Sequence, residues 1–427
     1  MYRVWNLLEK NSQFLLVGAV TALIWANVSP GSYHALVDFP LLEDGLIGHL
    51  SVDADGHAHR TVTLHYLIND VLMALFFAVA GKEVWEAVAL RGGALRGRKA
   101  ITPLIATAGG MLGPIAVYLV GAALLGKFAA LADGWAIPTA TDIAFSYLVG
   151  RLVFGAGHPA VKFLLLLAIA DDAGGLLILA TFYPQGNLKP EWLILSLAAT
   201  LATYFLVNRL PRVLDGDRQD RPVSTIVRQK LSFWPYLIAG ILSWFGFQQA
   251  GIHPALGLLP IIPAIPHSDI EFGIFAKEEE HQTDLLNWIE HRLKAPIQIV
   301  LLLFGVANAG VEFSVIGEAT WLVFAGLIIG KPSGILLLGW FAARPLGLGL
   351  PEGMRMKDLF VLGCVAAIGF TVSLFVAGVA FPPGQVQDAA KMGALFSFAA
   401  TAIAIVAGKI AGVERRDLPV AAPVVSG

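Results

Sequence analysis

The chain has 427 residues, 56% of them hydrophobic and only 14% charged, with a formal net charge of −2. Soluble proteins carry about 25% charged residues, so this chain lacks the polar surface that water requires and reads as one polytopic membrane domain over 1–427. The near balance of charge excludes bulk attraction to nucleic acid. A single cysteine, Cys364, excludes a disulfide framework and a multi-cysteine metal site.

A spanning helix needs about 20 mostly apolar residues. The first apolar run, 11–37, carries Trp25 and no convincing small-residue cleavage site, so it is expected to be a first span rather than a cleaved signal. Charge-free stretches follow at 100–126 and 359–387, and 231–268 is long enough for two spans around a turn at Gln248, Gln249, Gly251, His253 and Pro254. Shorter clean runs are 192–208, 295–311 and 392–408; runs with isolated charges cover 64–90, 134–150, 163–183 and 319–343. Together these predict about twelve transmembrane helices. Assigning alternate loops to the two sides puts 23 of the 29 Lys and Arg on one side and four on the other, with Lys82 and Lys331 near or inside helices. Such an excess marks the cytoplasmic face, and both termini are expected there.

Three segments outside the spans stand out. Residues 38–62 lie on the outer side, where apolar alternation around Asp53-Ala-Asp-Gly56 predicts a small β-hairpin. A lone hairpin is marginal in water, so pairing with a second copy of the chain is expected. Residues 210–228 read as a solvated cytoplasmic loop and 417–427 as a disordered tail.

The charges inside the spans carry the chemistry. Asp142 is the only charge in 134–150, Asp171 and Asp172 are the only ones between Lys162 and Lys189, and Lys331 is the only one between Glu318 and Arg344. Each costs on the order of 3 kcal/mol to place near the bilayer midplane. Three carboxylates and one ammonium at that depth point to an ion or proton pathway. The backbone points to the same place. Pro138-Thr-Ala-Thr141-Asp142 and Ala366-Ala-Ile-Gly369-Phe-Thr371 are poor helix formers in mid-span, and Lys331 lies between Gly330 and Pro332. Interrupted helices in corresponding halves mark transporter sites, and broken backbone survives in a membrane only where protein or a water cavity surrounds it. A small hard cation takes oxygen ligands. Carboxylates that bind either a proton or a cation suffice for exchange.

Several segments carry a family resemblance: Ile68-Asn-Asp70, Met73-Ala-Leu-Phe-Phe77, Gly134-Trp-Ala-Ile-Pro138, Ala140-Thr-Asp-Ile-Ala144 and Ala170-Asp-Asp172. Gly251-Ile-His253, Ala307-Asn-Ala-Gly310, Gly330-Lys-Pro332 and Ile368-Gly-Phe-Thr371 follow in the right order. In these the chain resembles the NhaA sodium/proton antiporters, which have inverted repeats. The resemblance implies an all-α bundle of twelve helices with two discontinuous, crossed helices, here those containing Asp142 and Gly369. It implies that Asp171 and Asp172 carry Na+ and protons with Thr141 nearby, that Asp142 compensates half-helix ends with Gly369 and Thr371 at the second break, and that Lys331 pairs with Asp171. It further implies electrogenic export of Na+ or Li+ by alternating access, serving pH and sodium homeostasis. Family members sit in the bacterial inner membrane and form homodimers through the outer hairpin. The implied partners are the lipid bilayer, Na+, Li+ and H+, with no nucleic acid, no cofactor and no catalytic residue.

The chain departs from the family at the cytoplasmic funnel. After Gly81 and Glu83 the usual Lys-Arg-Glu cluster is replaced by Trp85, Glu86 and Ala87, with Lys82 displaced to the other side of Glu83. Any pH response there would fall to Glu83, Glu86 and Asp70. Three other readings are open. An intramembrane aspartyl protease would need a Gly-x-Gly-Asp signature, which no span contains. A non-transporting cation sensor would fit the altered funnel, and a K+ exchanger would fit the carboxylates equally well.

Overall fold

In a computed structural model, residues 2–43, 45–52, 58–90, 93–216, 222–266 and 285–417 are described. The turn expected at 53–56 and the tail expected beyond Asp417 lie outside them. In chain order, helix α1 (Tyr2–Val28) is followed by strands β1 (Pro40–Leu42), β2 (His49–Val52) and β3 (Ala58–Thr63). Helices α2 (Leu64–Ala89) and α3 (Ile101–Leu124) come next, then a 3-10 stretch Ala132–Thr139 leading to α4 (Ile143–Phe154) and α5 (Pro159–Phe182). The chain continues through α6 (Pro190–Asp215), α7 (Pro222–Leu231), α8 (Trp234–Ala250) and α9 (Leu285–Asn308). It ends with α10 (Glu318–Ala343), α11 (Met356–Ala366), α12 (Phe370–Ala380) and α13 (Gln385–Ile410).

Among the described residues, α2, α3, α5, α6, α10 and α13 are long and apolar enough to cross a membrane, and α11 with α12 forms a bent pair at 53°. These fall on seven of the expected spans. Prolines 159 and 190 begin their helices, where a missing N–H costs nothing. Leucine and isoleucine faces remain exposed, as at Ile194, Leu197 and Leu206 of α6, and suit a hydrocarbon solvent.

Three expectations need correction. The second half of 231–268 is not an α-helix: after α8 ends at Gly251 in the left-handed region (φ 77°), the chain forms 3-10 turns at Pro254–Leu256 and Leu259–Ala264. Pro260 and Pro263, inside the run, remove donors that a continuous α-helix would need. The Gly330-Lys-Pro332 segment does not break its helix. A π-helical turn over Gly326–Gly330 widens α10 just before the proline and lets it continue. Residues 210–228 are largely helical where described, because Asp215 accepts from the Val223 and Ser224 amides (2.7 and 3.0 Å) and so caps the start of α7.

The chain divides into two compact units, 1–94 with 173–315 and 95–172 with 316–427. In the first unit, α1 packs on α9 so closely that a β-carbon at Gly18 would strike the Leu302 carbonyl. Its three strands form an antiparallel sheet in the order β1-β3-β2, with His49 opposite Thr61 and Leu50 opposite Arg60. The expected hairpin is therefore the β2–β3 pair, joined by an unexpected third strand.

In the second unit, α3 and α10 meet backbone to backbone. A β-carbon at Gly109 would collide with the Gly334 carbonyl, one at Gly113 with the Gly330 carbonyl, and one at Gly334 with the Gly109 carbonyl. Such small-residue seams let helices approach closely in lipid. After α13 the chain runs back as a strap: Arg416 N–H donates to Phe154 O (2.8 Å) and Gly157 N–H to Arg416 O (2.7 Å).

Two predictions follow from these contacts. Gly334→Ala forces a methyl group into the seam, and overpacking of this kind costs about 1–3 kcal/mol; thermal unfolding in detergent will show a lower midpoint than wild type. His158, outside the spans, is buried beside Phe154, and its Nδ1 accepts from the Ala160 amide (3.1 Å) at the start of α5. Burial holds its pKa below the usual histidine value, with Asp358 opposing. The folded state therefore refuses a proton that the unfolded state accepts below pH ~6.5. Stability will fall as pH drops through that value, and His158→Asn, which keeps a capping acceptor without titrating, will flatten the slope.

Candidate cation site

The site is built where two helices stop inside the second unit. The 3-10 stretch ends at Thr139, the chain is extended through Ala140 and Asp142, and α4 starts at Ile143. Pro138 withholds a backbone donor just before this break. In the second interruption α11 ends at Ala366, Gly369 caps α12, and that helix starts at Phe370. Glycine is needed here because a β-carbon would meet Ser373 Oγ at 2.7 Å and Ala140 O at 2.9 Å.

Asp142 joins the two interruptions. Its N–H donates to Ile368 O (2.7 Å), its Oδ1 accepts from the Phe145 amide (3.1 Å), and its Oδ2 accepts from the Thr371 amide (3.2 Å) and the Thr371 hydroxyl. One buried carboxylate thus caps the starts of both α4 and α12. Helix N-termini carry partial positive charge, so a negative group between two of them is doubly favoured.

Asp171, on α5, is buried, and its Oδ2 lies 3.0 Å from Lys331 Nζ and 2.6 Å from Thr141 Oγ1. Each of these partners also faces a backbone carbonyl at a helix break. Lys331 Nζ donates to Thr139 O, and Thr141 Oγ1 lies 3.1 Å from Ala366 O. A hydroxyl has one proton, so Thr141 serves the carboxylate or the carbonyl, one at a time. Asp171 Oδ1 is buried and takes no hydrogen bond among the described residues. Asp172 is adjacent on the same helix and half-buried. Thr141, Asp142, Asp171, Lys331, Gly369 and Thr371, named from the sequence, thus meet at the two breaks, Asp171 with Lys331 and Thr141 in one cluster and Asp142 with Thr371 in the next. Three carboxylates against one ammonium leave a formal charge of −2.

The hydroxyls of Ser146, Ser373 and Ser397 were not anticipated. Ser146 Oγ donates to Val365 O (3.1 Å), Ser373 Oγ donates to Ile137 O (2.7 Å), and Ser397 Oγ accepts from the Gly369 amide (3.3 Å). A signal existed: Ser146 lies four residues after Asp142 and Ser373 four after Gly369.

With this geometry in view, residues 4–410 match the model of the family described as Na+/H+ antiporter 1. The chain belongs to the Na+/H+ antiporter 1 family. A relative from Jannaschia sp. (strain CCS1), named Na(+)/H(+) antiporter NhaA, is 65% identical over 420 residues, covering 98% of this chain and all of that one. Another of the same name, from Desulfitobacterium hafniense (strain DSM 10664 / DCB-2), is 45% identical over 96% of both chains. Among solved structures, that of the sodium proton antiporter MjNhaP1 from Methanocaldococcus jannaschii at pH 8 aligns with a TM-score of 0.41 and 13% identity, over 94% of this chain and 97% of that one.

Of the residues named for a pH response, Glu83 and Glu86 lie together beside Lys82 on α2, and Asp70 stands apart from them. Asp70 and Glu86 sit on α2 separated by 16 residues, about 24 Å along a helix axis. Asp70 belongs with the sheet end of the first unit: its carboxylate lies 4.0 Å from His49 Nε2 on β2 and 3.9 Å from His253 Nε2. At the other end, Lys82 is the centre of an ionic cluster. Its buried ammonium lies 2.8 Å from Glu86 Oε2 and 2.7 Å from Glu290 Oε2, tying α2 to α9.

Removing Lys331 will leave the Asp171 carboxylate buried without its counter-charge. Breaking one partner of a buried pair costs about 3–5 kcal/mol. Lys331→Ala will therefore unfold at a markedly lower temperature in detergent, and an unchanged midpoint would refute the pairing.

Proposed function

We propose that this chain is a multi-pass Na+/H+ antiporter in which Asp171 and Asp172 bind Na+ or Li+ and protons in competition. The observation that carries this reading is Asp171: a buried carboxylate with one oxygen held by Lys331 and Thr141 and the other taking no hydrogen bond among the described residues. An anionic oxygen at that depth without a donor needs a cation or a proton. A hard cation takes such oxygens readily. Neighbouring carbonyls of Thr139 and Ala366, already turned out of their helices, add acceptors of the kind a sodium ion requires. Family membership and 65% identity to a named Na+/H+ antiporter support the same assignment.

In this reading Asp142 is structural, holding two helix starts together, and Lys331 keeps Asp171 in register while the cation is absent. Cation entry at Asp171 displaces the ammonium from the carboxylate, and proton entry displaces the cation. Alternating access moves the bundle that contains these residues between the two faces of the membrane. With Asp142 engaged at the helix starts, Asp171 and Asp172 remain as two carboxylates against one ammonium, enough to take up more than one proton in place of one sodium ion, as electrogenic exchange requires. The matched positions of Ser146 and Ser373 in the two interrupted helices fit an inverted repeat, and the apolar runs of the sequence allow about twelve crossings. The bacterial inner membrane with cytoplasmic termini is the corresponding location, and the role is pH and sodium homeostasis. A homodimer through residues 38–62 is supported by β1, an edge strand whose Leu41 and Leu42 side chains are both exposed.

The test is proton flux in liposomes loaded with a pH dye, with Na+, Li+ or K+ added between pH 6 and 9. Na+ or Li+ will drive proton movement in the wild type and none in Asp172→Asn. Flux retained in that variant would remove Asp172 from the site. A response to K+ alone would reassign the cation, and a silent wild type that is folded would favour a sensor on an antiporter scaffold.

A further inference from the structure

Two buried serines stand in matching positions on the two interrupted helices. Ser146 is the fourth residue of α4 and Ser373 the fourth of α12. Both have no solvent exposure. Each closes the first full turn of its half-helix with its backbone amide, Ser146 N–H to Asp142 O (2.9 Å) and Ser373 N–H to Gly369 O (3.1 Å). The hydroxyls then leave their own helices. Ser146 Oγ donates to Val365 O on α11, and Ser373 Oγ donates to Ile137 O on the 3-10 stretch before α4. Each interrupted helix thus reaches with the start of its second half to the end of the other's first half.

The carbonyls they reach are the ones a helix end leaves behind. A helix's last carbonyls have no amide a turn further on. Ile137 O lies two residues before the end of the 3-10 stretch, and Val365 O one residue before the end of α11, where it has no amide a full turn on and meets instead the tight-turn amides of Ala367 and, at 3.4 Å, Ile368. In a membrane no water replaces the missing donor. A helical serine commonly turns its hydroxyl to its own i−4 carbonyl. Here both serines forgo that option in favour of the crossing partner.

We infer that Ser146 and Ser373 are a matched pair of positioning residues that fix the crossing of the two interrupted helices, and with it the affinity of the site for its cation. The inference rests on the exchange reading above. Thr141 and the Thr139 carbonyl belong to the first break and the Ala366 carbonyl to the second. Their spacing around Asp171 is set by how the breaks meet. The carboxylates sit on α5 and do not depend on either serine. Loss of one brace therefore loosens the oxygen set around the cation while leaving the ion-carrying groups in place. Asp142 holds the same crossing through the two helix starts, and the serines hold it through the two helix ends, so neither substitutes for the other.

The experiment compares wild type, Ser146→Ala and Ser373→Ala in the same liposomes, with initial proton flux measured against Na+ concentration. A buried hydrogen bond lost at the site corresponds to about a tenfold change in equilibrium constant. Both variants are expected to raise the apparent KM for Na+ about tenfold, with Vmax within about twofold of wild type. If an alanine variant does not fold, Ser146→Cys or Ser373→Cys keeps the volume with a much weaker donor and is read in the same way. A role confined to folding would lower the melting temperature or the yield and leave KM where it was. An active wild type with unchanged KM in either position, or with Vmax lost at constant KM, overturns the serine assignment alone. A wild type that moves no protons on addition of Na+ overturns the exchange reading, and this inference with it.

Discussion

Two helices that stop inside an apolar bundle create amides and carbonyls that no water can satisfy, and much of the second unit is arranged around that debt. Each break exposes a positive helix start and a negative helix end. The starts are taken by one carboxylate, Asp142, with an oxygen for each. The ends are taken by Lys331 on Thr139, Thr141 on Ala366, and the two serines on Ile137 and Val365. Several of the donors that hold the crossing therefore also belong to the site's chemistry. Lys331 and Thr141 face both a stranded carbonyl and the Asp171 carboxylate, so whatever neutralises Asp171 changes the demands on the backbone at both breaks. Coupling between the charge on Asp171 and the fold needs no longer path than this.

Behind the crossing, Phe145, Phe370 and Phe398 pack against one another with ring centroids 4.6–5.9 Å apart. These rings present an apolar surface to that side of the interruption, and low local polarity strengthens the electrostatic interactions beside it. The polar network is thus backed by apolar side chains from both half-helices, so the carbonyls it carries have only the donors that the chain itself provides.

Much of this was legible in the sequence because membranes penalise charge so heavily. Asp142, Asp171, Asp172 and Lys331 stand out as solitary charges in apolar runs, and Pro138 and Gly369 mark the breaks with the two residue types that interrupt helices. The serines were not legible in the same way. A serine in a transmembrane helix is common, and its importance depends on which carbonyl lies opposite. Lys82 was legible only in part for a related reason. Its sequence position shows a basic residue near the end of a span, whereas the fold shows it between Glu86 and Glu290 as the common partner of both. Proline also misled in one place and informed in another. Pro332 sits after a π-turn that absorbs it, while Pro260 and Pro263 turn a long apolar run into 3-10 turns. Local sequence gives the missing donor in every case, but only the surrounding turns decide whether the helix ends.

The seam between α3 and α10 bears on how sharply Lys331 is placed. At most helix interfaces, interdigitated side chains hop between rotamers, and the helices drift by fractions of an ångström as they do. Glycines 109, 113, 330 and 334 restrict that freedom, because at those levels the first atoms met across the seam belong to the facing backbone. The helix that holds the ammonium is seated against a surface of peptide groups, which have no rotamers to change. Warming the protein will loosen its lipid-facing leucines long before it changes the depth at which this charge sits in the membrane.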